Sequence, residues 1–461
     1  GSEMCIRDRS LLISSTKKSS GKTIVSIGLS GLATKLGYSV QTYKKGPDFI
    51  DPSWLSYASK KPCFNLDFNT MGKNEIKSTY LSRLIGSDLA IIEGTKGLYD
   101  GISTDGHDSN AELAKVLKSE VLLVIDCKGI TRGIAPLLLG YKKFDSKVKL
   151  NYVLLNNVST NRHEEKLLAA IKQYTDFKVI GAIPPIDNLI DERHLGLIPA
   201  FQHSNKSSVT RSIISAVKDN VDYKKILPKK LKKSQESKVQ KISLKSKTSL
   251  TIGVAVDSAF GFYYPDDLEK IINHGHKIKK VNLIKSKKLP ALDALFIGGG
   301  FPETQASKLA KNISMKKSIK SAIENNLPVY AECGGLMYLA NNLKFSSRTT
   351  KMCNVFDIDI KMNSKPIGRG YTILNTLVHP WGIKKNNIHA HEFHYSSVIS
   401  RTKKYKYAFN IKRGYGINGK KDGLIYKNTI ASFSHLRSCD SFNWIEYFIK
   451  HIERVNGKTN I

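Results

Sequence analysis

Leu11-Leu12-Ile13-Ser14-Ser15 runs directly into Thr16-Lys17-Lys18-Ser19-Ser20-Gly21-Lys22-Thr23, and a helix-spaced segment to Leu36 follows. An apolar run of strand length, a short polar loop and a helix opening at Gly-Lys-Thr make the setting of a phosphate-binding loop. In such a loop, main-chain N–H groups around Ser20 and Gly21 and the helix N-terminus hold phosphate oxygens. Lys22 neutralises their charge, and Thr23 can ligate Mg²⁺. Thr16 stands where the motif G-x-x-x-x-G-K-[ST] has its first glycine, so Gly21 alone in the loop has free access to positive φ.

The same alternation continues outward. Strand-length runs at 39–43 (SVQTY), 89–94 (LAIIEG), 121–126 (VLLVID), 152–157 (YVLLNN) and 179–183 (VIGAI) are separated by helix-length segments. That pattern predicts βαβ units and a parallel sheet over residues 10–224. The carboxyl ends of parallel strands converge on one crevice. Gly46-Pro47-Asp48-Phe49-Ile50-Asp51-Pro52 and Ile91-Ile92-Glu93-Gly94 therefore bring Asp48, Asp51 and Glu93 toward the phosphate loop, where they can share a Mg²⁺ with Thr23.

Residues 225–249 are dominated by Lys and Ser and cannot bury enough apolar surface to order themselves, which predicts a linker. Beyond it, residues 250–455 restart the alternation at 250–256 (LTIGVAV), 277–283 (KIKKVNL), 294–300 (ALFIGGG) and 327–332 (LPVYAE), with helices expected over 265–274, 306–325 and 442–455. A second α/β domain follows, richer in β-like runs toward its end.

In that domain Glu332 closes a strand, Cys333 follows, Gly334-Gly335 permit a tight turn, and a helix begins. A strand–turn–helix corner exposes a nucleophile where N–H groups favour thiolate and oxyanion. Gly298-Gly299-Gly300 also follows a strand and can supply N–H donors to the same oxyanion, beside Gly334. A cysteine nucleophile needs a base, and His435 ends a strand-like run shortly before the last helix. In His389-Ala390-His391-Glu392-Phe393-His394-Tyr395-Ser396 the histidines of H-E-x-H lie three apart in a β-like run, not four apart on a helix, which argues against zinc.

Composition bounds the rest. The 461 residues are 41% hydrophobic and 24% charged, and no apolar run approaches the roughly 20 residues of a membrane span. Lys+Arg outnumber Asp+Glu by 73 to 39, a net charge of +34. The lysines are spread along the whole chain without Arg-and-aromatic stripes, which reads as composition and not as a nucleic-acid surface. Cys5, Cys63, Cys127, Cys333, Cys353 and Cys439 are isolated, as in a reducing cytoplasm. Residues 1–9 lack the apolar stretch of a signal peptide and are set aside from the fold.

The segments KKGPDFIDP (44–52), EGTKGLYDG (93–101), ERHLGLIPA (192–200), FGFYYPDDLE (260–269), GGGFPE (298–303), YAECGGLMYL (330–339) and HEFHYS (391–396) occur in this order. Together they resemble the cobyrinate a,c-diamide synthase family, over essentially the whole chain from Leu11 to Phe448. The resemblance implies a dethiobiotin-synthetase-like ATP domain joined to a class I glutamine amidotransferase domain. It implies a cytoplasmic ligase of cobalamin biosynthesis with ATP and Mg²⁺ as cofactors, and glutamine and a corrinoid polycarboxylate as partners. It is compatible with a homodimer and calls for neither nucleic acid nor membrane. By position, Lys22 and Thr23 match the phosphate loop, Asp48 and Glu93 the carboxylates near nucleotide and metal, Cys333 the nucleophile and His435 its base. Two departures stand out: Ser15, Ser19 and Ser20 occupy loop positions where the family has glycine, glycine and a small residue, and its terminal H-L-H reads His435-Leu436-Arg437. Alternatives are a related amidase of sirohydrochlorin-type tetrapyrroles, and a DNA-partition-type ATPase, whose signature lysine would be Lys17.

Overall fold

Val121 to Ile125 are fully buried, as a strand covered on both faces requires. They lie in a seven-stranded parallel sheet, in the order Phe64–Leu66, Val40–Lys45, Leu89–Glu93, Ser10–Ser15, Glu120–Asp126, Leu150–Asn156, Lys178–Ile183. The computed structural model describes residues 9–186, 192–193, 196–230, 249–401 and 403–457. Helices Lys22–Lys35 and Lys206–Asn220 cross closely over the sheet: a Cβ on Gly28 would lie 2.3 Å from Val217, and one on Gly31 2.5 Å from Ile214. Register then sets the chemistry at the carboxyl ends. Ile13 pairs with Glu93, and Glu93 with Lys44, so a carboxylate stands beside the strand that feeds the phosphate loop and an ammonium one strand further out.

The chain divides into two compact units, Gly1–Lys238 and Val239–Ile461. The second is built on a nine-stranded mixed sheet. Its parallel part runs Lys277–Val281, Thr251–Ala255, Ala294–Ile297, Val329–Glu332, Thr429–Ser432. Four antiparallel strands extend it, Lys421–Tyr426, Lys406–Arg413, Gly368–Thr376 and Ile388–His394. A smaller four-stranded sheet and helix Trp444–Val455 complete the unit.

Several local expectations shift. The helix expected over 306–325 is two, Ala306–Lys311 and Ile313–Glu324. Asn312 breaks it: its side chain accepts from Met315 N to cap the second helix, while Nδ2 donates to the carbonyls of Leu283, Ile284 and Ser286. The last helix starts at Trp444 and not at 442, because Cys439 and Phe442 bridge main chain to main chain just before it. Arg9 belongs to the fold, since its carbonyl accepts from Ala90 N and its guanidinium donates to Ser87 O. Of the segment expected as a linker, Ile226 and Leu227 pack on the first core and Pro228 O accepts from Tyr38. Residues 231–248 lie outside the described residues, as do residues 1–8 with Cys5 and His194-Leu195 of the ERHLGLIPA segment. Among the described residues, no helix is long and apolar enough to cross a membrane.

Candidate active sites

The phosphate loop joins strand Ser10–Ser15 to helix Lys22–Lys35 through Gly21, whose φ of 96° opens the helix. Side chains hold the loop where glycines are missing. Ser15 Oγ and Ser20 Oγ both donate to Lys17 O, at 2.6 and 2.9 Å, and Asn156 Nδ2 donates to Ser20 O. Lys22 Nζ donates to Ser15 Oγ at 2.9 Å. Burial, then the charge of Lys44, brings the Lys22 ammonium down to about pH 8. Lys17 pairs with Asp126 at 3.1 Å.

Asp48, Asp51 and Glu93 do converge, and what they converge on is Lys44. Its Nζ lies 2.6 Å from Asp51, 3.0 Å from Glu93 and 3.8 Å from Asp48. Burial alone would strip that ammonium of its proton, but the three carboxylates hold it well above the usual lysine range. Burial and the neighbouring Asp51 push Glu93 up to about 8. Asp51 would also be raised by burial, but Lys44 holds it below the usual carboxylate range. Asp48 is divided between roles, because its Oδ1 accepts from Ile50 N and Asp51 N at the start of helix Ile50–Ser59.

Thr23 Oγ1 donates to Glu93 Oε1 at 2.7 Å, and the buried Glu93 Oε2 has no hydrogen-bond partner. Hard oxygen donors beside a phosphate loop, one of them unsatisfied, fit Mg²⁺. Among the described residues no three His, Cys, Asp or Glu side chains form a ready-made metal cluster; Mg²⁺ commonly takes only one or two carboxylates and completes its shell with phosphate and water.

In the second unit, Cys333 sits at φ 46°, ψ −98° between strand Val329–Glu332 and helix Gly334–Leu339. That is a strained corner for a side-chain-bearing residue. Small neighbours make it possible. A Cβ on Gly335 would lie 2.3 Å from Ile297 O, one on Gly334 3.0 Å from Pro302, and one on Gly300 2.0 Å from Ala259 O. Gly334 also faces Gly300 N at 3.1 Å by the same construction, so the two glycine loops meet.

His435 reaches the corner from three residues beyond strand Thr429–Ser432, which pairs in parallel with the cysteine's strand. Its imidazole hydrogen-bonds the Cys333 thiol, and Nδ1 lies 3.2 Å from Glu332 Oε2. Burial would lower its pKa, but the thiol and the Glu332 carboxylate raise it to about 10. Gly299 closes the far side, where a Cβ would come within 2.6 Å of His435 Cε1. Elsewhere burial pushes the Cys127 and Cys353 thiols up to about 12. Asp422, fully buried, accepts from Phe433 N and Ser434 N and fixes the turn that presents His435.

The HEFHYS segment supports this corner. His391 stacks on His435 with ring centroids 4.9 Å apart and meets the Tyr264 hydroxyl at 3.2 Å. Glu392 accepts from Tyr415 N and Gly416 N, and His394 lies flat on Phe433. Arg437 is buried over the Tyr264 ring and pairs with Asp266 at 2.9 Å.

Sequence reading missed Lys44, Glu332 and Asp422. Lys44 carried a signal, an ammonium at the end of a buried strand four residues before Asp48. Asp422 carried none, because its partners are main-chain N–H groups distant in sequence.

Residues 11–198 match the model of the CobQ/CobB/MinD/ParA nucleotide binding domain, and residues 251–443 that of the CobB/CobQ-like glutamine amidotransferase domain. The chain is 37% identical over 449 residues to the cobyrinate a,c-diamide synthase of Magnetococcus marinus, covering 95% of this chain and 96% of that protein. It is 37% identical to the one of Archaeoglobus fulgidus, again over 95% and 96%, and 34% identical to that of Methanobrevibacter smithii over 92% and 95%. The chain belongs to the cobyrinate a,c-diamide synthase family.

Proposed function

We propose that this protein converts the a- and c-acetate carboxylates of cobyrinate, or of cobalt-free hydrogenobyrinate, into amides, using ATP and nitrogen from glutamine. The observation that carries the reading is the Cys333 thiol at a strained strand-to-helix corner, hydrogen-bonded to a buried imidazole, in a chain collinear with relatives of that name.

On this reading the second unit is a class I glutamine amidotransferase-like domain. Cys333 attacks the glutamine side-chain carbonyl, ammonia leaves, and water cleaves the thioester to glutamate. His435 moves the protons, and N–H groups at Gly299, Gly300 and Gly334 face the oxyanion. The first unit is a dethiobiotin-synthetase-like domain. Lys22 with the loop around Ser20 and Gly21 draws the γ-phosphoryl group of ATP toward a substrate carboxylate. The resulting acyl phosphate is displaced by ammonia, which leaves inorganic phosphate and the amide. Thr23, Asp48 and Glu93 would hold Mg²⁺, which supplies charge neutralisation at the phosphates when bound. Lys44, kept protonated by the carboxylates around it, would offer an ammonium to the substrate carboxylate.

Incubation with ATP, Mg²⁺, glutamine and, in separate reactions, cobyrinate, hydrogenobyrinate and sirohydrochlorin, read by product mass, tests the proposal. Two amides on a cobyrinate are expected. Amidation of sirohydrochlorin alone would replace this reading with that of the related amidase, and ATP-dependent DNA retention without amidation with that of the partition ATPase.

A further inference from the structure

The residue two places beyond His435 is Arg437, whose guanidinium pairs with Asp266 at 2.9 Å. Asp422, another buried acid, is engaged by the main-chain N–H groups of Phe433 and Ser434. The carboxylate that does face His435 Nδ1 is Glu332, adjacent in sequence to the nucleophile and 2% exposed.

We infer that Glu332 is the positioning acid of the glutaminase site, completing a Cys333–His435–Glu332 triad in which acid and nucleophile are neighbours on one strand end. Consecutive residues on a strand point to opposite faces. Here the strand ends at Glu332, and Cys333 turns through φ 46°, so both side chains reach the same imidazole from different sides. Ser432 pairs with Glu332 across the sheet, and His435 returns three residues later, which brings the ring between them.

The hydrogen bonds set the tautomer. A carboxylate oxygen accepts, so Nδ1 carries a proton toward Glu332, and Nε2 faces the Cys333 sulfur and shares the thiol's proton with it. Glu332 Oε1 is itself fixed by Tyr330 OH at 2.8 Å and Leu436 N at 2.9 Å, which leaves Oε2 for the imidazole. The carboxylate also stabilises the imidazolium that forms as the thiolate does.

The inference rests on the assignment of Cys333 and His435 above, and Glu332→Gln separates the two. The amide carbonyl can still accept from Tyr330 and Leu436, but the NH₂ presented to Nδ1 reverses the tautomer. We expect kcat for glutamine hydrolysis to fall by about 10²–10⁴-fold with KM for glutamine nearly unchanged. The pH at which Cys333 becomes reactive toward iodoacetamide should shift upward, and ammonia-driven amidation should persist. Wild-type kcat and an unshifted alkylation profile in Glu332→Gln, alongside loss of hydrolysis in Cys333→Ala, overturn the triad alone. Hydrolysis that survives in Cys333→Ala overturns the site assignment. If Glu332→Gln melts early, Glu332→Asp, which keeps the charge, should restore the alkylation profile. If both variants lose kcat with wild-type alkylation profiles, Glu332 is only a structural staple.

Discussion

At the cysteine corner, a Cβ added to Gly299, Gly300, Gly334 or Gly335 would come within 2.6, 2.0, 3.0 or 2.3 Å of another atom. At the phosphate loop the only glycine is Gly21, 2.3 Å from Asn156 by the same construction, and the remaining turns are held by serine hydroxyls. One site is shaped by the absence of side chains and the other by their presence. The comparison teaches where each site tolerates change: the first fails sterically, the second electrostatically.

Exchanging the two sites' central groups gives the largest expected effects and breaks the comparison most directly. Cys333→Ala should lower glutamine hydrolysis by at least about a thousandfold while amidation driven by ammonium salts survives. Lys22→Ala should do the converse, abolishing macrocycle-dependent ADP formation with either nitrogen source. Glutaminase and ADP release assayed in each variant check both. Loss of glutaminase in Lys22→Ala without unfolding would show that the two chemistries cannot be separated in this way.

Gly299→Ala probes the steric side alone. The new methyl must push the His435 ring, and a displacement near 1 Å costs about a hundredfold in rate, with ADP formation from ammonia unchanged. Steady-state kinetics on both half-reactions would measure it, and wild-type glutaminase in Gly299→Ala would mean that the ring does not occupy this position during turnover. This glycine was readable from sequence only as a loop after a strand. Its contact with His435 joins residues 136 positions apart, which no local pattern encodes. Cys333, Lys22 and Thr23 were readable because strand, turn and helix are contiguous around each. The logic of a parallel sheet brought Asp48, Asp51 and Glu93 together, but only Glu93 ends a strand; Asp48 lies beyond strand 40–45, and Asp51 is in the first turn of helix Ile50–Ser59. Their convergence on Lys44 instead of empty space was not readable, because register between strands 40–45 and 89–93 is set by packing. Glu332 was hidden for another reason: strand alternation sends neighbours apart, and only the strained turn at Cys333 reverses that.

Protonation distinguishes the sites with opposite signs. His435 is raised to about 10 from an ordinary 6.5, so the stability it contributes is complete below about pH 6.5 and is lost as pH rises toward 10. The melting temperature of wild type minus that of His435→Gln should therefore shrink over that interval; a constant difference would contradict the pairing with Glu332 and Cys333. Lys22 is lowered to about 8, and bound phosphates would raise it again. ATP binding then takes up a proton, and affinity should weaken above pH 8 by up to about tenfold per pH unit. Calorimetry in buffers of different ionisation enthalpy would detect the uptake. Lys22→Arg, which keeps its charge, should remove the slope.

The smallest effect sharpens the contrast most. Ser19 occupies the left-handed region at φ 61°, which costs a side-chain-bearing residue about 1 kcal/mol or more. Glycine would relieve that cost, but it also adds freedom to the unfolded chain, worth about 0.5–1 kcal/mol. Ser19→Gly should therefore stabilise the nucleotide-binding unit by only about 0.5 kcal/mol, a two- to threefold change in the unfolding equilibrium, seen as a small shift in denaturant midpoint at unchanged slope. ATP affinity should move no further, because Ser15, Ser20 and Asn156 already brace the loop. A gain of a hundredfold in affinity would mean that the serine-braced loop is a damaged phosphate site and not an alternative construction of one.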